Sequence, residues 1–412
     1  MKYQKYCVIA GTVIGFGLPL WISSGTHATA GEASGYSLKW VPAPQITTAD
    51  GSFKLKLRGR VLWDAARVED DEGREDSSRS EFRAARIGLE GVAWRDFKYK
   101  IEVDFAGGDA NLTGATVEYV GFKPFTVTAG HLKHPTSLEE SMSSRFITFM
   151  ERAAFTDAFG FGHRLGLQLG AGGDRWTAKV AILEGDPNTS DPKGYIMAGR
   201  ATYSPSISDA VTVHLGASMF HRENAGADTT IRYRQRPHAH LARNRFIDTR
   251  NFSAESDSFY GLEAAALFGS FSLQSEYGWI SANRVADANG VTGDDPTFEG
   301  GYISGSWFVT GGSRSYSPKK GVFGRPKISR SVLDGGWGAF EVGARLDFLD
   351  LTDQDIRGGK QTTAVLGSNW YLHPHVRLMA NYAHSRIRGG VLGDATGDNE
   401  VDTVMFRAQV DW

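Results

Sequence analysis

The chain has 412 residues with 45 Lys+Arg against 47 Asp+Glu, a formal net charge of −2 and a mean hydropathy of −0.30. That balance argues against a nucleic-acid-binding polycation, and the hydropathy is far too low for a bundle of membrane helices. Fifty glycines, 12% aromatic residues and one cysteine point instead to an exported β-rich protein, either soluble or a membrane barrel whose alternating strands dilute the mean hydropathy.

At the N-terminus Lys2 and Lys5 precede an apolar run, Val8 to Ile22, and Ala28-Thr29-Ala30 supplies small residues around a cleavage point after Ala30. This is the layout of a secretory signal peptide over residues 1–30. The run holds three Gly and a Pro and is short for a spanning helix, so cleavage is expected rather than anchoring. Cys7 lies inside this segment, so the mature chain is expected to have no disulfides, thiol nucleophiles or Cys-ligated metals. Residues 31–52 are read as a short N-terminal segment, too small for a plug.

From residue 53 onward the chain reads as strands. Phe53, Leu55, Leu57, Gly59, Val61 and Trp63 alternate with Lys54, Lys56, Arg58, Arg60, Leu62 and Asp64, so four successive basic side chains share the face opposite the apolar one. Phe97-Tyr99-Ile101-Val103-Phe105 alternates in the same way with Lys98-Lys100-Glu102-Asp104. Further strands are predicted near 81–93, 112–122, 125–132, 162–170, 175–184, 195–204, 210–222, 258–269, 271–282, 299–312, 337–351, 360–372, 374–387 and 401–412. The total is about sixteen, an even number that leaves an aqueous lumen. Short connections such as Trp94-Arg95-Asp96 and His373-Pro374 alternate with long ones at 133–161, 223–257 and 313–336. The expected fold is all-β, a transmembrane antiparallel barrel over residues 53–412 with long extracellular loops. A soluble sandwich with so many aromatic-faced strands would leave too much apolar surface in water.

Three of the connections carry functional signals. The segment His134 to Phe161 is too long for a hairpin and has a helix-start pattern at Thr136-x-x-Glu139. Folded into the lumen it would narrow the pore; the alternative is an extracellular excursion. The loop from His221 to Ser258 places Arg232, Arg234 and Arg236 at every second position. In extended backbone their guanidinium groups point the same way, spaced roughly 6.5–7 Å apart. Such a ladder of permanent cations suits the passing of an oxyanion from site to site; the alternative is a solvated loop that binds lipopolysaccharide phosphates. Lys319, Lys320, Arg325 and Lys327 form a second basic segment, expected in an external loop where it would concentrate anions. Ordinary surface lysines would read the same way.

These segments together resemble the phosphate-selective porin O and P family over essentially the whole mature chain. The resemblance is carried by Phe82-Arg83-Ala84-Ala85-Arg86, Ala93-Trp94-Arg95-Asp96-Phe97-Lys98-Tyr99, Thr116-Val117-Glu118-Tyr119-Val120-Gly121-Phe122, Ser143-Ser144-Arg145-Phe146-Ile147-Thr148 with Glu151-Arg152, and the alternating arginines. It implies a sixteen-stranded barrel, a homotrimer, an infolded loop at the constriction and an arginine ladder leading oxyanions to it. At the central site Arg83 matches the first of an arginine pair and Ala84 replaces the second. Ser143 and Ser144 match two serines, Glu140 stands where a lysine is expected, and Thr113 stands in place of an aspartate. Arg86 and Lys133 lie nearby, with Arg145 next to the serines, and could make up the lost charge. A lumen-facing Glu140 would oppose a bound dianion.

The expected function is a passive outer-membrane channel for small anions, phosphate or related oxyanions. The alternative is a general or organic-anion porin. A barrel hydrolase lacks support, since the chain has neither a Gly-x-Ser-x-Gly elbow nor a His-Glu-x-x-His motif. A sealed binding barrel would have to pair every inward charge. No cofactor and no metal are expected, because His238 and His240 read as ordinary loop histidines. The partners expected are outer-membrane lipid and lipopolysaccharide, small anionic solutes and two further copies of the chain, with no nucleic acid. The terminal strand puts Val404, Phe406, Ala408, Val410 and Trp412 on one face and Met405, Arg407, Gln409 and Asp411 on the other. It is expected to close the barrel on the strand that starts near Phe53, its aromatic end serving as an insertion signal.

Overall fold

The computed structural model describes residues 35–188, 194–208, 210–224, 230–287, 290–392 and 395–412. The expected signal peptide and the first residues of the short N-terminal segment lie outside the described residues.

Alternation has one consequence throughout: each strand presents one face outward and one to the lumen. Sixteen long strands among the described residues form the wall. They are β1 (Lys54–Asp70), β2 (Asp76–Ala93), β3 (Phe97–Asp104), β4 (Asn111–Tyr119), β5 (Phe125–Lys133), β6 (His163–Gly172), β7 (Trp176–Leu183), β8 (Tyr195–Tyr203), β9 (Val211–Glu223), β10 (Phe252–Phe268), β11 (Phe271–Arg284), β12 (Thr297–Thr310), β13 (Ala339–Asp353), β14 (Ile356–His373), β15 (Val376–Arg388) and β16 (Asn399–Asp411). Each pairs antiparallel with its neighbour, and β16 closes on β1 with Arg407 opposite Asp64 and Asp411 opposite Arg60. Each predicted strand corresponds to one of these, and the closure is as expected. In β16 Phe406 is 54% exposed on the outer face while Arg407 is 3% exposed on the inner one.

The last residue finishes the seam. Trp412 exchanges both backbone hydrogen bonds with Gly59, at 3.0 and 3.2 Å, and its ring lies so close that a Cβ on Gly59 would sit 2.2 Å from it. Only glycine leaves room for that ring. The short N-terminal segment contributes a hairpin, 36–39 with 45–48, whose second arm pairs with the start of β1.

Outer faces carry two aromatic bands. Near the short turns Phe53, Trp94, Phe97 and Tyr119 form a chain of rings with centroids 5.1–6.2 Å apart, and Phe268, Phe271 and Trp307 form another. Nearer the long loops Tyr260, Trp279, Tyr277 and Phe348 do the same. Amphipathic rings flanking an apolar band are what a barrel in a bilayer requires.

Because β1 runs from the turn end to the loop end, connections after odd strands lie at the loop end and those after even strands at the turn end. The connection 311–338 follows β12, so it belongs to the turn end, beside the C-terminus. This corrects the expectation for Lys319, Lys320, Arg325 and Lys327, which do not join the long loops. Its hairpin, 312–317 with 322–328, folds back into the barrel. Arg325 binds Asp411 and the Pro374 carbonyl, Lys319 pairs with Asp174 at 2.7 Å, and Arg200 donates to the Gly321 carbonyl at 2.8 Å. Phe323 is buried against Leu138, Met142 and Ile147.

The hydrophobic core therefore sits inside the barrel. Loop 134–162, with two short helices α1 (Leu138–Ser141) and α2 (Ala154–Ala158), supplies Phe149, Phe155 and Phe159, and loop 224–251 supplies Tyr233, Phe246 and Ile247. These pack on inward residues of β9 to β16, among them Phe220, Phe259, Ile280, Phe298, Leu349, Met379 and Val401. The lumen is filled on that side and remains open beside β1 to β6.

Candidate constriction site

Loop 134–162 is held in the lumen by wall side chains that meet its backbone polar groups, which a buried loop cannot leave unpaired. Glu276 accepts from the backbone N–H groups of Leu138 and Glu139 at 2.7 and 2.8 Å. Asp347 accepts from Ala154 N and Asn381 from Met150 N. Arg377, Asn369 and Arg407 donate to the carbonyls of Ile147, Thr148 and Met150 at 2.7–3.0 Å. Arg345 donates to the Glu151 carbonyl and pairs with the buried carboxylate of Glu139, which also accepts from Ala153 N. The expected helix start is displaced by one residue. Ser137 caps Glu140 N, while the Thr136 hydroxyl is taken by His134 at 2.8 Å. Burial, followed by the charges of Arg222 and Arg164, pushes the His134 pKa down to about 3, so this imidazole stays neutral.

Between the loop and the wall of β1–β6 lies a cavity of about 560 Å³. It gathers every residue expected at the constriction: Arg83, Arg86, Lys133, Glu140, Ser143, Ser144 and Arg145, together with Arg58 and Arg60. Ten lysine or arginine side chains line it against four carboxylates, an excess of six in a chain whose net charge is −2. Arg58, Arg60 and Arg86 converge on Glu102, at 3.0, 3.0 and 3.4 Å, and Arg86 also pairs with Asp104 at 2.6 Å. Arg60 donates to the Ser144 hydroxyl at 2.7 Å and Arg145 to that of Ser143 at 3.2 Å. Arg83, Lys100 and Arg236 also line the cavity and make no ion pair among the described residues.

Glu140 does line the cavity, yet it is bracketed by Lys133 at 3.4 Å and Arg152 at 3.3 Å. Its repulsion is thus offset by two cations. Glu140→Gln is expected to release both and to tighten phosphate block of the pore by roughly tenfold, the effect of one charge at intermediate dielectric; titrating the chloride current with phosphate measures this. Thr113 binds the Glu102 carboxylate at 3.2 Å, so the carboxylate absent at position 113 is supplied from the neighbouring strand. Sequence reasoning left Glu102, Lys100 and Arg152 out of the site. The inward register of β3 was the available signal for the first two.

The segment of alternating arginines is extended, with Ile231, Tyr233 and Gln235 buried between the exposed Arg232 and Arg234 and the half-buried Arg236. Its members differ in company. Arg232 is bound by Asp248, and among the three only Arg236 reaches the cavity, its Nε donating to the Ala242 carbonyl at 3.1 Å. Burial would raise the Asp248 pKa, but the hydrogen bonds from Arg232 and from Arg250 N hold it below the usual carboxylate range. Burial, and next the charge of Arg236, lowers the pKa of Arg245. Among the described residues no cluster of side chains is arranged to hold a metal ion.

Comparison with known proteins agrees with this geometry. Residues 55–412 match the family described as phosphate-selective porin O and P. The chain is 34% identical over 391 residues to an uncharacterized protein of Caulobacter vibrioides, covering 91% of this chain and 77% of that one. It is 27% identical over 403 residues to Porin O of Pseudomonas aeruginosa, covering 89% and 90%. The anion-selective porin from Comamonas acidovorans has the same fold, with a TM-score of 0.55 at 16% identity over 87% of this chain and 100% of that one. With a closed sixteen-strand barrel, an infolded loop and a match over the whole barrel domain, the chain belongs to the phosphate-selective porin O and P family.

Proposed function

We propose that the protein is a passive outer-membrane channel for small anions, phosphate or related oxyanions, with no catalytic step. The observation that carries this reading is the constriction: ten cations against four carboxylates, with the hydroxyls of Ser143 and Ser144 beside them. Fixed charge of one sign inside a low-dielectric wall raises the local concentration of the opposite ion. Most of these cations already have a carboxylate partner, so no single site holds an anion too tightly to release it. Arg83, Lys100 and Arg236 are the exceptions and the sites at which a passing anion gains most. Arg232 and Arg234 lead along the loop toward Arg236, and Lys319, Lys320, Arg325 and Lys327 offer cations at the other end. A signal peptide over residues 1–30, a position among outer-membrane lipid and lipopolysaccharide, and a homotrimer complete the reading.

The second reading is an organic-anion channel. Ala84 leaves space where an arginine would stand, and Leu62, Ile147, Met150 and Phe161 line the same cavity. In planar bilayers under a salt gradient the reversal potential should show anion over cation preference; cation preference would sink both readings. Competition of the chloride current by phosphate against small organic acids then separates them, phosphate being the stronger blocker if the first holds.

A further inference from the structure

Outside the pore, the loop end of β14 and β15 carries a compact group of outward-facing donors. Lys360 lies directly opposite Arg388, and in the next outward row Thr362 lies opposite Arg386. All four side chains are exposed. Opposed strand positions are about 5 Å apart and successive outward ones roughly 7 Å, so three cations and a hydroxyl fall within one phosphate's reach. Like charges placed opposite one another on a sheet destabilise it unless something anionic lies between them. Flanking carboxylates answer only part of the charge. Asp350 pairs with Lys360 at 2.6 Å and Glu400 with Arg386 at 3.2 Å, while Asp402 is held by His384 and Asp398 accepts from Gly389 N. Arg388 makes no ion pair among the described residues.

Below the group the same outward columns become apolar. On β15 His384 is followed by Tyr382, Ala380 and Leu378, and on β14 Ala364 and Leu366 lead down past Ser368 to Trp370. Arg386 and Arg388 stand four and six residues beyond Tyr382, roughly 13 and 20 Å of extended chain. A ligand seated here meets cations at one end and an apolar strip at the other.

We infer that Lys360, Arg386, Arg388 and Thr362 form a binding site for the phosphate group of an acylated membrane lipid on the outer face of β14–β15. The apolar strip beneath favours a lipid-borne phosphate over the free ion, which would gain nothing from it. This rests on the outer-membrane reading given above. It is tested on purified, delipidated barrel in detergent by native mass spectrometry with three probes: bis-phosphorylated lipid A, dephosphorylated lipid A and inorganic phosphate. Wild type is expected to retain the phosphorylated lipid, and Lys360→Gln/Arg388→Gln to retain it at least about tenfold less, as befits loss of charge-assisted bonds. Equal retention by wild type and variant overturns the site; so does equal retention of the dephosphorylated lipid, and inorganic phosphate binding as tightly would make it a free-anion site. Should the double variant fail to fold, Arg386→Gln/Thr362→Val gives the same reading. Reversal potentials on the same variants separate the two proposals, since an intact anion preference with lost lipid leaves the channel reading standing.

Discussion

Replacing Arg83, Lys100 and Arg236 together by glutamine is expected to abolish phosphate block of the pore and to move the reversal potential strongly toward zero. These three line the cavity and, among the described residues, make no direct ion pair, so more of their charge is left for whatever occupies it than that of the paired cations. A unit charge near 6 Å contributes on the order of 1–3 kcal/mol at effective dielectrics between those of a protein surface and water. Three such losses amount to a hundredfold or more in affinity. Folding is expected to survive, because none of the three holds an ion pair that the change would orphan. The neutralisation of Arg58, Arg60 and Arg86 is a different experiment. It would strip Glu102 of its ion-pair partners and leave a buried carboxylate in the pore wall. If block by phosphate persists unchanged in the triple variant, the anion passes by another route and the constriction reading fails.

Glu139→Gln should have the largest effect on stability and should also open the pore. Glu139 and Arg345 are both about 2% exposed, and the guanidinium lies over the rings of Phe149 and Tyr302 at 4.5 and 4.8 Å. Removing one charge of a buried pair costs about 3–5 kcal/mol, because the other is left in a medium that cannot solvate it. The loop then loses its central attachment, and the expected result is an earlier unfolding transition on heating together with larger, noisier single-channel currents. A variant with unchanged current but lower stability would show that the remaining bonds from Glu276, Asp347 and Arg377 suffice to hold the loop.

Much of the wall was legible in the sequence. Period-2 patterning, strongest at 53–64 and 97–105, together with segment length and the rhythm of connections located the sixteen strands, since an outward face that meets lipid and an inward face that meets water differ in side chain. The interior was not legible by the same means. Phe259 and Tyr260 are adjacent and both aromatic, because one packs on the infolded loops while the other faces outward. Where both faces are apolar, alternation carries no information about what lies inside. The end to which 311–338 belongs was available from parity, as it follows the twelfth strand, but length outweighed parity in the reading. The tie of Arg232 to Asp248, sixteen residues away, was not foreseen, for ion pairs across a loop are tertiary facts. The residues gathered at the constriction, in contrast, came from resemblance and register together, and Glu102 shows what register alone adds.

The aromatic core inside the barrel divides the labour of the molecule by arc. Strands β9 to β16 serve chiefly as a foundation on which two loops fold, as they would on a soluble domain, whereas β1 to β6 serve as the exposed bank of a crevice. The passage is therefore not a tube whose width follows from strand number. Its width is the gap between a wall and a folded mass anchored on the far side, so a change in packing there is transmitted to the opening as a displacement. Side chains on the open bank that hold no ion pair, Arg83 and Lys100 among them, are by comparison free to vary with the solute at little cost to the fold.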